Sequence, residues 1–526
     1  MTTTPAPGTP DDSSHDDTAA RSAAPRTTAA RAHRRRGPLR SVRRATVAAA
    51  LAAGALALAA CSSATALTET ATSTSASTSA TSTITSTTDL STLDTHVDDD
   101  DLTWDDADVQ DITLADAGST SDADGVSVDG STVTITAGGV YRVSGTLSDG
   151  QLVVGAPDNE TVTLILDGAS ITNADGTAIA VTSADEVTID LADGSSNTVA
   201  DGTDYEVADD STPVAAIASV SDLTIAGTGS LDVTGNTNDG ISTKDGLVIA
   251  SGTITVTAAD DAIRGKDYVS VLDGTLTLTS GGDALKSDNY EDADRGWVLI
   301  TGGSITIDSG DDGIDAERAV QVAGGTLDIQ QSVEGIEAQN VSITGGDTSV
   351  VASDDGLNAT AATTAEEAAA EDSASNDATD TAQQGPGGGS EEDDGSEMLI
   401  SGGTLTVDAD FDGLDSNGTI SLLGGTITIT SADNGGDGPV DANGDVELDG
   451  ATLTANGTEI TSVDQLGTQR GGGGMGAGGG QAPSGGQGGP GQQSGSTDST
   501  GTSDSTDSSG TSSTTGTSSS TTTIDS

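Results

Sequence analysis

The stretch Gly252-Thr253-Ile254-Thr255-Val256 decides the fold, because closely similar stretches follow it along the chain. In each copy a glycine precedes a strand-like alternation of polar and apolar residues. The copies begin at Gly252, Gly274, Gly303, Gly325, Gly346, Gly403 and Gly425, with spacings of 22, 29, 22, 21, 57 and 22 residues. We interpret 29 as 22 plus a seven-residue insertion near Asn289 to Arg295, and 57 as 22 plus a low-complexity insertion.

A second motif, an acid followed by Gly or Ala and then Ile or Leu, keeps the same period. It occurs at Asp239, Asp261, Asp283, Asp312, Glu334, Asp355 and Asp412. A fixed period with Gly or Asp at the corners is typical of a solenoid whose coils contribute short strands to parallel sheets. We therefore predict an all-β fold, a right-handed parallel β-helix of about 22 residues per coil. A calcium-binding nonapeptide solenoid would instead repeat about every 18 residues.

The composition excludes several other classes of protein. The chain has 526 residues with 84 Asp and Glu against 17 Lys and Arg, a net charge of −67, so we expect no nucleic-acid partner. With 71 Gly but only 2 Trp, 4 Tyr and 1 Phe, a conventional core packed with Leu and Phe is excluded. A single Cys excludes a disulfide framework, and 3 His offer no zinc cluster, which leaves calcium as the metal to consider.

The N-terminal region predicts export and lipidation. Residues 1–60 hold nine Arg and four Asp, and they end in an apolar stretch from Val47 to Ala60 that is too short to span a bilayer. Small residues precede Cys61, as in a bacterial lipobox. We therefore predict a lipoprotein signal peptide, with a lipid at Cys61 as the membrane attachment on the extracellular side of the cell membrane. Sec and twin-arginine export both remain open.

Composition also predicts the domain boundaries. Residues 61–94 are rich in Ser and Thr and are expected to form a flexible stalk. The β-helix is expected to span residues 95–465, interrupted by a low-complexity insertion at 359–397. A disordered tail rich in Gly, Ser and Thr is expected at 466–526. We expect the protein to be a monomer.

Strand alternation sorts the residues around the acidic motif into inward and outward positions. The expected inward pairs are Ile241/Thr243, Ile263/Gly265, Leu285/Ser287, Ile314/Ala316, Ile336/Ala338, Leu357/Ala359 and Leu414/Ser416. The expected outward pairs are Ser242/Lys244, Arg264/Lys266, Lys286/Asp288, Asp315/Glu317, Glu337/Gln339, Asn358/Thr360 and Asp415/Asn417. One face should therefore carry a basic strip on three coils, followed by an acidic strip.

The basic strip is the predicted ligand site. Eight Lys and Arg follow residue 60, and half of them occupy outward positions on these coils: Lys244, Arg264, Lys266 and Lys286. A uronic-acid polymer suits such a strip, whereas the alternative is that the cations only neutralise corner carboxylates. Tyr290 and Trp297 lie nearby in the sequence and are predicted to form a platform for sugar rings, although core filling is an alternative for Trp297.

The stacked corner acids predict a bound cation. Equivalent positions on adjacent coils lie about 4.8 Å apart, where two charges repel by roughly 3 to 4 kcal/mol at an effective dielectric constant near 20. Asp315, Glu317 and Glu337 have no cation near them in the sequence except Arg318. Calcium, which takes six to eight oxygen ligands, would supply the missing charge. Solvated acids with raised pKa values and simple Asp-Gly turn chemistry are the alternatives.

The 22-residue repeat, the Asp-Asp-Gly-Ile corners and the Gly-rich tail at Gly471 together resemble the bacterial surface carbohydrate-binding domains of parallel β-helix fold. That family is related in architecture to pectate lyases, binds calcium, and is associated with cellulose and acidic plant polysaccharides. The resemblance covers about residues 95–465 and implies calcium ligands at Asp239, Asp260, Asp261, Asp283, Asp311 and Asp312. The scarcity of aromatic residues argues against crystalline cellulose.

Three functions remain open at this point. The leading hypothesis is a surface lipoprotein that binds an acidic polysaccharide in a calcium-dependent manner without being an enzyme. The rival is a calcium-dependent polysaccharide lyase in which Arg264, Lys266 or Lys286 serves as the base. The third is a structural or adhesive spacer.

Overall fold

The computed structural model describes residues 84–97, 102–203, 205, 213–362, 393–432 and 438–466. The predicted signal peptide with Cys61, the stalk up to residue 83, the insertion at 363–392 and the tail from residue 467 lie outside the described residues. Within these ranges, no helix has the length and apolar character needed to cross a membrane.

The described residues form 35 strands and two short 3₁₀ turns, Leu90–Thr92 and Val463–Gln465. In chain order the strands are β1 Val109–Ala115, β2 Thr120–Ser121, β3 Val126–Asp129, β4 Thr132–Ile135, β5 Gly139–Leu147, β6 Gln151–Gly155, β7 Thr161–Thr172, β8 Ile179–Ser183, β9 Glu186–Leu191, β10 Ser196–Ala200, β11 Ala215–Ser219, β12 Asp222–Gly227, β13 Ser230–Gly235, β14 Asp239–Thr243, β15 Gly246–Ile249, β16 Thr253–Ala258, β17 Ile263–Gly265, β18 Tyr268–Val271, β19 Thr275–Thr279, β20 Leu285–Ser287, β21 Trp297–Ile300, β22 Ser304–Asp308, β23 Ile314–Val322, β24 Thr326–Gln331, β25 Ile336–Ile343, β26 Asp347–Ala352, β27 Leu357–Ala359, β28 Glu397–Ile400, β29 Thr404–Ala409, β30 Leu414–Ser416, β31 Thr419–Leu422, β32 Thr426–Thr430, β33 Val446–Leu448, β34 Thr452–Ala455 and β35 Thr458–Ile460.

Parallel pairing arranges the repeat as a β-helix with three columns of strands. Sheet A contains the glycine-repeat strands β10, β13, β16, β19, β22, β24, β26, β29, β32 and β34. Sheet B contains the acidic-motif strands β8, β11, β14, β17, β20, β27 and β30, together with the first part of β23 and β25. Sheet C contains β9, β12, β15, β18, β21, β28, β31 and β33, together with the second part of β23 and β25.

The observed register confirms the predicted repeat. Ile263 pairs with Leu285, and Leu285 pairs with Ile314 across the 29-residue spacing. Leu357 pairs with Leu414 across the 57-residue spacing, so both long spacings are insertions between aligned strands. The predicted inward residues are all buried, which confirms the inward columns.

The repeat glycines begin the sheet A strands for a steric reason. All seven have φ between +75° and +120°, a region that L side chains rarely adopt. A Cβ at Gly303 would also lie 2.8 Å from the carbonyl oxygen of Gly274 on the preceding coil. The glycine therefore permits both the turn into the strand and the close approach of adjacent coils.

Antiparallel pairs flank the solenoid. At the N-terminal end β1 pairs with β2, and β3 pairs with β4. At the C-terminal end β34 pairs with β35. Such hairpins limit the open edge that a stack of parallel coils would otherwise present to other chains.

Residues 84–97, which we call the strap, lie on the outer face of sheet C. Ile84 and Leu90 are 3% and 1% exposed, and the Leu90 amide donates to Gln321 at 2.9 Å. The structure thus places residues 84–94 on the body, which corrects the predicted stalk boundary at residue 94. The high Ser and Thr content of this stretch concealed two apolar residues that are buried against the body, Ile84 and Leu90.

The ends of the predicted insertion also differ from expectation. Ala359 completes β27 with its side chain buried, and Glu397 begins β28. The insertion is therefore shorter than 359–397, because its first and last residues belong to the strands that it separates.

Candidate functional site

The outward residues of sheet B form the ladder that the sequence predicts. Arg264 pairs in register with Lys286, Lys286 with Asp315, and Asp315 with Glu337. Ser242 precedes Arg264 in this column but is only 2% exposed, and its hydroxyl bonds to Asp239. Ser242 is thus not a free outward residue, and the ladder starts in practice at Arg264.

The two central cations of the ladder are held by carboxylates. Arg264 bonds to Asp288 and lies 4.0 Å from Asp239 Oδ2. Lys286 bonds to Asp283 and lies 3.0 Å from Asp315 Oδ2. Burial opposes both charges, but the adjacent carboxylates outweigh it and raise the pKa of Arg264 and of Lys286.

The other two predicted basic residues differ in accessibility, since the side chain of Lys266 is about as exposed as that of Arg264 whereas Lys244 is more exposed. Lys266 lies 3.7 Å from Glu291 Oε2 and its ammonium is 6.0 Å from the centre of the Tyr290 ring. Lys244 is exposed and forms no ion pair with any residue in the described ranges. Tyr290 is half-buried, and its carbonyl accepts a hydrogen bond from Arg318 at 3.0 Å.

The corner acids have a structural role that the sequence analysis raised only as turn chemistry. In four of them, one carboxylate oxygen accepts the backbone N–H of the acid on the next coil. Asp261 accepts from Asp283, Asp283 from Asp312, Asp312 from Glu334, and Asp355 from Asp412, at 2.8 to 3.0 Å. The second oxygen of Asp283, Oδ2, contacts a counter-charge, the ammonium of Lys286.

Three of the predicted metal ligands come together. Asp239, Asp260 and Asp261 can place one oxygen each within 4.8 Å of one another, and we call them triad 1. Burial raises the pKa of Asp239 to about 6 despite Arg264, and that of Asp261 to about 7 despite Lys286. Triad 1 is thus short of counter-charge even though cations adjoin it.

A second group combines one predicted metal ligand, Asp312, with two acids that were not predicted to bind metal. Asp312 joins Glu334 and Glu337 with the same spacing, and we call these residues triad 2. Burial and mutual repulsion raise the pKa of Asp312 to about 9, of Glu334 to about 10 and of Glu337 to about 7. Within the described part of the chain no ion pair reaches triad 2.

The remaining predicted metal ligands lie elsewhere. Asp283 and Asp315 pair with Lys286, and the exposed Asp311 belongs to neither triad. A third group, Asp412, Asp415 and Asp441, was missed. Asp412 belongs to the acidic motif and Asp415 to the outward ladder, so both carried a signal, whereas Asp441 lies beyond the repeat.

The triads fit the chemistry of calcium. They offer only hard oxygen donors, and Asp239 and Asp261 are nearly fully buried at 1% and 4% exposed. Burial raises the pKa of Asp312 to about 9 and that of Glu334 to about 10, so these two carboxyl groups hold protons at neutral pH unless a cation replaces them. Asp239, Asp260 and Asp261 would hold one ion, and Asp312, Glu334 and Glu337 a second.

Trp297 does not form an exposed platform. Its side chain is 0% exposed and stacks on Tyr268 with ring centres 4.5 Å apart and an angle of 7° between planes. It lies on the outer face of sheet C in a cluster with Ile84 and Leu90 of the strap. The predicted direct contact of Trp297 with a ligand is thus corrected, because the strap covers the ring.

Comparison with known proteins decides the family. A family model of carbohydrate-binding domain-containing proteins matches residues 129–378 and 331–438, which together span more than half of the chain. The chain belongs to this carbohydrate-binding family. The predicted family resemblance is thereby confirmed.

Two relatives of this carbohydrate-binding family member are partial matches. A carbohydrate-binding domain-containing protein of Acetivibrio thermocellus is 38% identical over 142 residues, which are 27% of this chain and 50% of the relative. The chain therefore spans about half the length of that curated relative. A solved structure of a polysaccharide lyase-like protein from C. thermocellum, in a gadolinium derivative, is 38% identical and matches 45% of this chain and 93% of its own, with a TM-score of 0.40.

A separate column of acids lies at the turns between sheets B and C of this carbohydrate-binding domain. Asp222, Asp245 and Asp267 occupy consecutive coils, and Asp245 hydrogen-bonds Asp267. Partial burial, followed by repulsion from Asp222 and Asp267, raises the pKa of Asp245 to about 7, while Arg295 opposes the shift. The folded state therefore favours the neutral form of Asp245.

The substitution Asp245→Asn should flatten the pH dependence of stability. The stability that Asp245 contributes is complete below its ordinary pKa of 3.8 and is lost as the pH rises through about 7, whereas Asn has no such loss. In EGTA the variant should melt above the wild type at pH 8, and the difference should vanish near pH 4 (about the ordinary value for Asp). Asp232→Asn, at an exposed position of β13, is the control. Equal pH profiles of the melting temperature for all three proteins would show that folding does not raise the pKa of Asp245.

Proposed function

We propose that this protein binds an acidic polysaccharide in a calcium-dependent manner, as a lipoprotein on the cell surface. Membership of a carbohydrate-binding family supplies the class of ligand. The observation that carries the finer proposal is the order of charges along sheet B, where Arg264 lies beside triad 1 and Lys286 lies on the next coil, before triad 2.

The cations supply direct contacts to a uronate. The side chains of Arg264 and Lys286 are 35% and 26% exposed, so each keeps donors open to solvent in addition to its ion pairs. A guanidinium and an ammonium on adjacent coils, about 4.8 Å apart, suit carboxylates that recur along a polymer. Lys244 and Lys266 extend the same strip and would contact the polymer at its edge.

Calcium would complete the site at both ends of the cationic pair. Three carboxylates fill only part of the six to eight positions that the ion prefers, so a bound ion would keep positions for sugar oxygens. A uronate would then bind the ion and the cations at the same time. This arrangement explains why calcium and ligand should bind cooperatively.

Ion pairing at Arg264 and Lys286, two of the three candidate bases, favours binding over polysaccharide lyase chemistry. A β-elimination base must accept a proton from the sugar, which requires an unprotonated amine or guanidine. Carboxylates on both sides of Lys286 raise its pKa, as do those beside Arg264, so both side chains stay charged at neutral pH. The same charges that weaken a base strengthen an anion-binding site.

Simultaneous loss of the two central cations should weaken binding of polygalacturonate at least tenfold. Each charge-assisted contact is worth roughly 1.5 to 3 kcal/mol. The variant Arg264→Ala plus Lys286→Ala is compared with Arg142→Ala. Arg142 lies far from the strip in the sequence and forms its own ion pair with Asp167, at 3.9 Å. Retention on polygalacturonate is measured in calcium and in EGTA, and product absorbance at the same time scores lyase activity.

Melting curves on the same preparations separate binding from stability. Loss of retention with an intact melting transition supports the proposed face. If the double variant is still retained on polygalacturonate but melts at a lower temperature, Arg264 and Lys286 only neutralise Asp239 and Asp283. Unsaturated product from the wild type would establish the lyase instead.

The lipoprotein part of the proposal rests on the sequence around Cys61. A diacylglyceryl group on this thiol would hold the carbohydrate-binding domain at the membrane surface. Cys61→Ala should move the protein from the membrane fraction to the soluble fraction in a host that processes lipoproteins. Unchanged membrane retention, with wild-type expression, would contradict lipidation at this residue.

A further inference from the structure

The strap covers an apolar part of the outer face of sheet C. The covered outward residues include Val248, Tyr268, Trp297, Leu299 and Ala319, and they form a cluster separate from the interior core. The coils at either end of sheet C carry polar outward residues instead, namely Thr188 and Asp190 on β9 and Thr419 and Ser421 on β31. A solenoid face that carries the Tyr–Trp stack of an aromatic-poor chain needs an occupant, and in this structure the strap is that occupant.

Polar side chains of the sheet hold the strap in addition to its two buried apolar residues. Gln321 accepts from the Leu90 amide and donates to the carbonyl of Thr88, and Asn340 donates to the carbonyl of Ile84 at 3.3 Å. Glu397 accepts from the amide and the hydroxyl of Ser86 at 3.1 and 2.8 Å. Amides and a carboxylate beside stacked aromatic rings are groups that bind a chain of hydroxyls equally well.

Two buried polar atoms under the strap have no partner there. Trp297 Nε1 and Ser270 Oγ form no hydrogen bond within the described ranges, and their residues are 0% and 1% exposed. Buried donors without partners are costly, so the strap is an incomplete match to this face. A ligand with hydroxyl groups could pair both atoms while keeping the apolar contact with the rings.

The charges at the two ends of the face select the kind of ligand. Glu397 lies at one end, and Asp222 lies at the other, 3.3 Å from His96 of the strap. Both carboxylates accept hydrogen bonds from hydroxyl groups and repel a uronate. The cation beside this face, Arg295, lies 5.3 Å from the centre of the Tyr268 ring and is already paired with Asp267 at 3.5 Å. The six coil steps from β12 to β28 give a length of about 29 Å, which suits an oligosaccharide.

We propose that the outer face of sheet C is a second carbohydrate-binding face, for a neutral polysaccharide, and that the strap occupies it within the same chain. The proposal rests on the carbohydrate binding of the family but not on the calcium-dependent face of sheet B. The strap is thus a competitor: a neutral glycan binds when the strap leaves, and bound glycan holds the strap off.

The test loosens the strap in the full chain. Ile84→Ser plus Leu90→Ser removes its two buried apolar anchors, and the separate interior core keeps the β-helix folded. A Trp104→Phe background leaves Trp297 as the single Trp, because the chain contains two. Acrylamide quenching of Trp297 then reports whether the ring is uncovered. Thr92→Ala, at an exposed strap position, is the matched control.

Binding is measured with cellohexaose, xylohexaose and mannohexaose in EGTA, so that calcium sites on sheet B play no part. We expect the loosened variant to show stronger quenching and to bind at least one of the three hexasaccharides at least tenfold more tightly than the wild type and Thr92→Ala. The bound sugar should reduce quenching again, and Trp297→Ala in the loosened chain should abolish the gain.

Two results would overturn the proposal. Stronger quenching without any gain in affinity for the three probes would show that the strap is only a structural cover. Unchanged quenching would show that the strap does not cover Trp297 through these anchors. If the double variant does not fold, Leu90→Ala alone is tested against the same outcomes. Because the probes are neutral and calcium is absent, these results are independent of polygalacturonate retention.

Discussion

Coil stacking is the constraint on which the rest of this protein depends. Every residue of a coil lies about 4.8 Å from its counterpart on the next coil, so side chains of the same type stack in columns along the solenoid. For Ile263, Leu285 and Ile314 the repetition builds a continuous core without large side chains. For the corner acids it concentrates like charge, which is unfavourable unless something is placed between the carboxylates.

The negative charge of these carboxylates is balanced in two different ways along sheet B. Where Arg264 and Lys286 interrupt the column, each cation joins carboxylates from neighbouring coils. Where the column continues as Glu334 and Glu337 beside Asp312, the described structure places no cation, and the acids have raised pKa values. The proposed ligands both follow from this uneven distribution of charge. Calcium would pair with the carboxylates that lack a cation, and a uronate would pair with Arg264 and Lys286.

Periodicity made the fold and much of the ladder predictable. The spacing of Gly303 and Asp312 placed strands and corners in the right register, because a solenoid repeats locally and needs no distant contact to align. Contacts made across coils were harder to foresee. Triad 2 depends on how far Glu334 and Glu337 extend toward Asp312, and the strap depends on Ile84 and Leu90 within a run of Ser and Thr. Trp297 was predicted to be exposed but is buried, because nothing in its own repeat indicates that the strap covers it.

The most direct test of this account is anomalous scattering from crystals of the protein grown at neutral pH in calcium. The account predicts anomalous peaks among the oxygens of Asp239, Asp260 and Asp261, and among those of Asp312, Glu334 and Glu337, with loss of both peaks after soaking in EGTA. A well-ordered β-helix with no peak in either triad at saturating calcium would contradict it, because the carboxylates would then be balanced by protons alone.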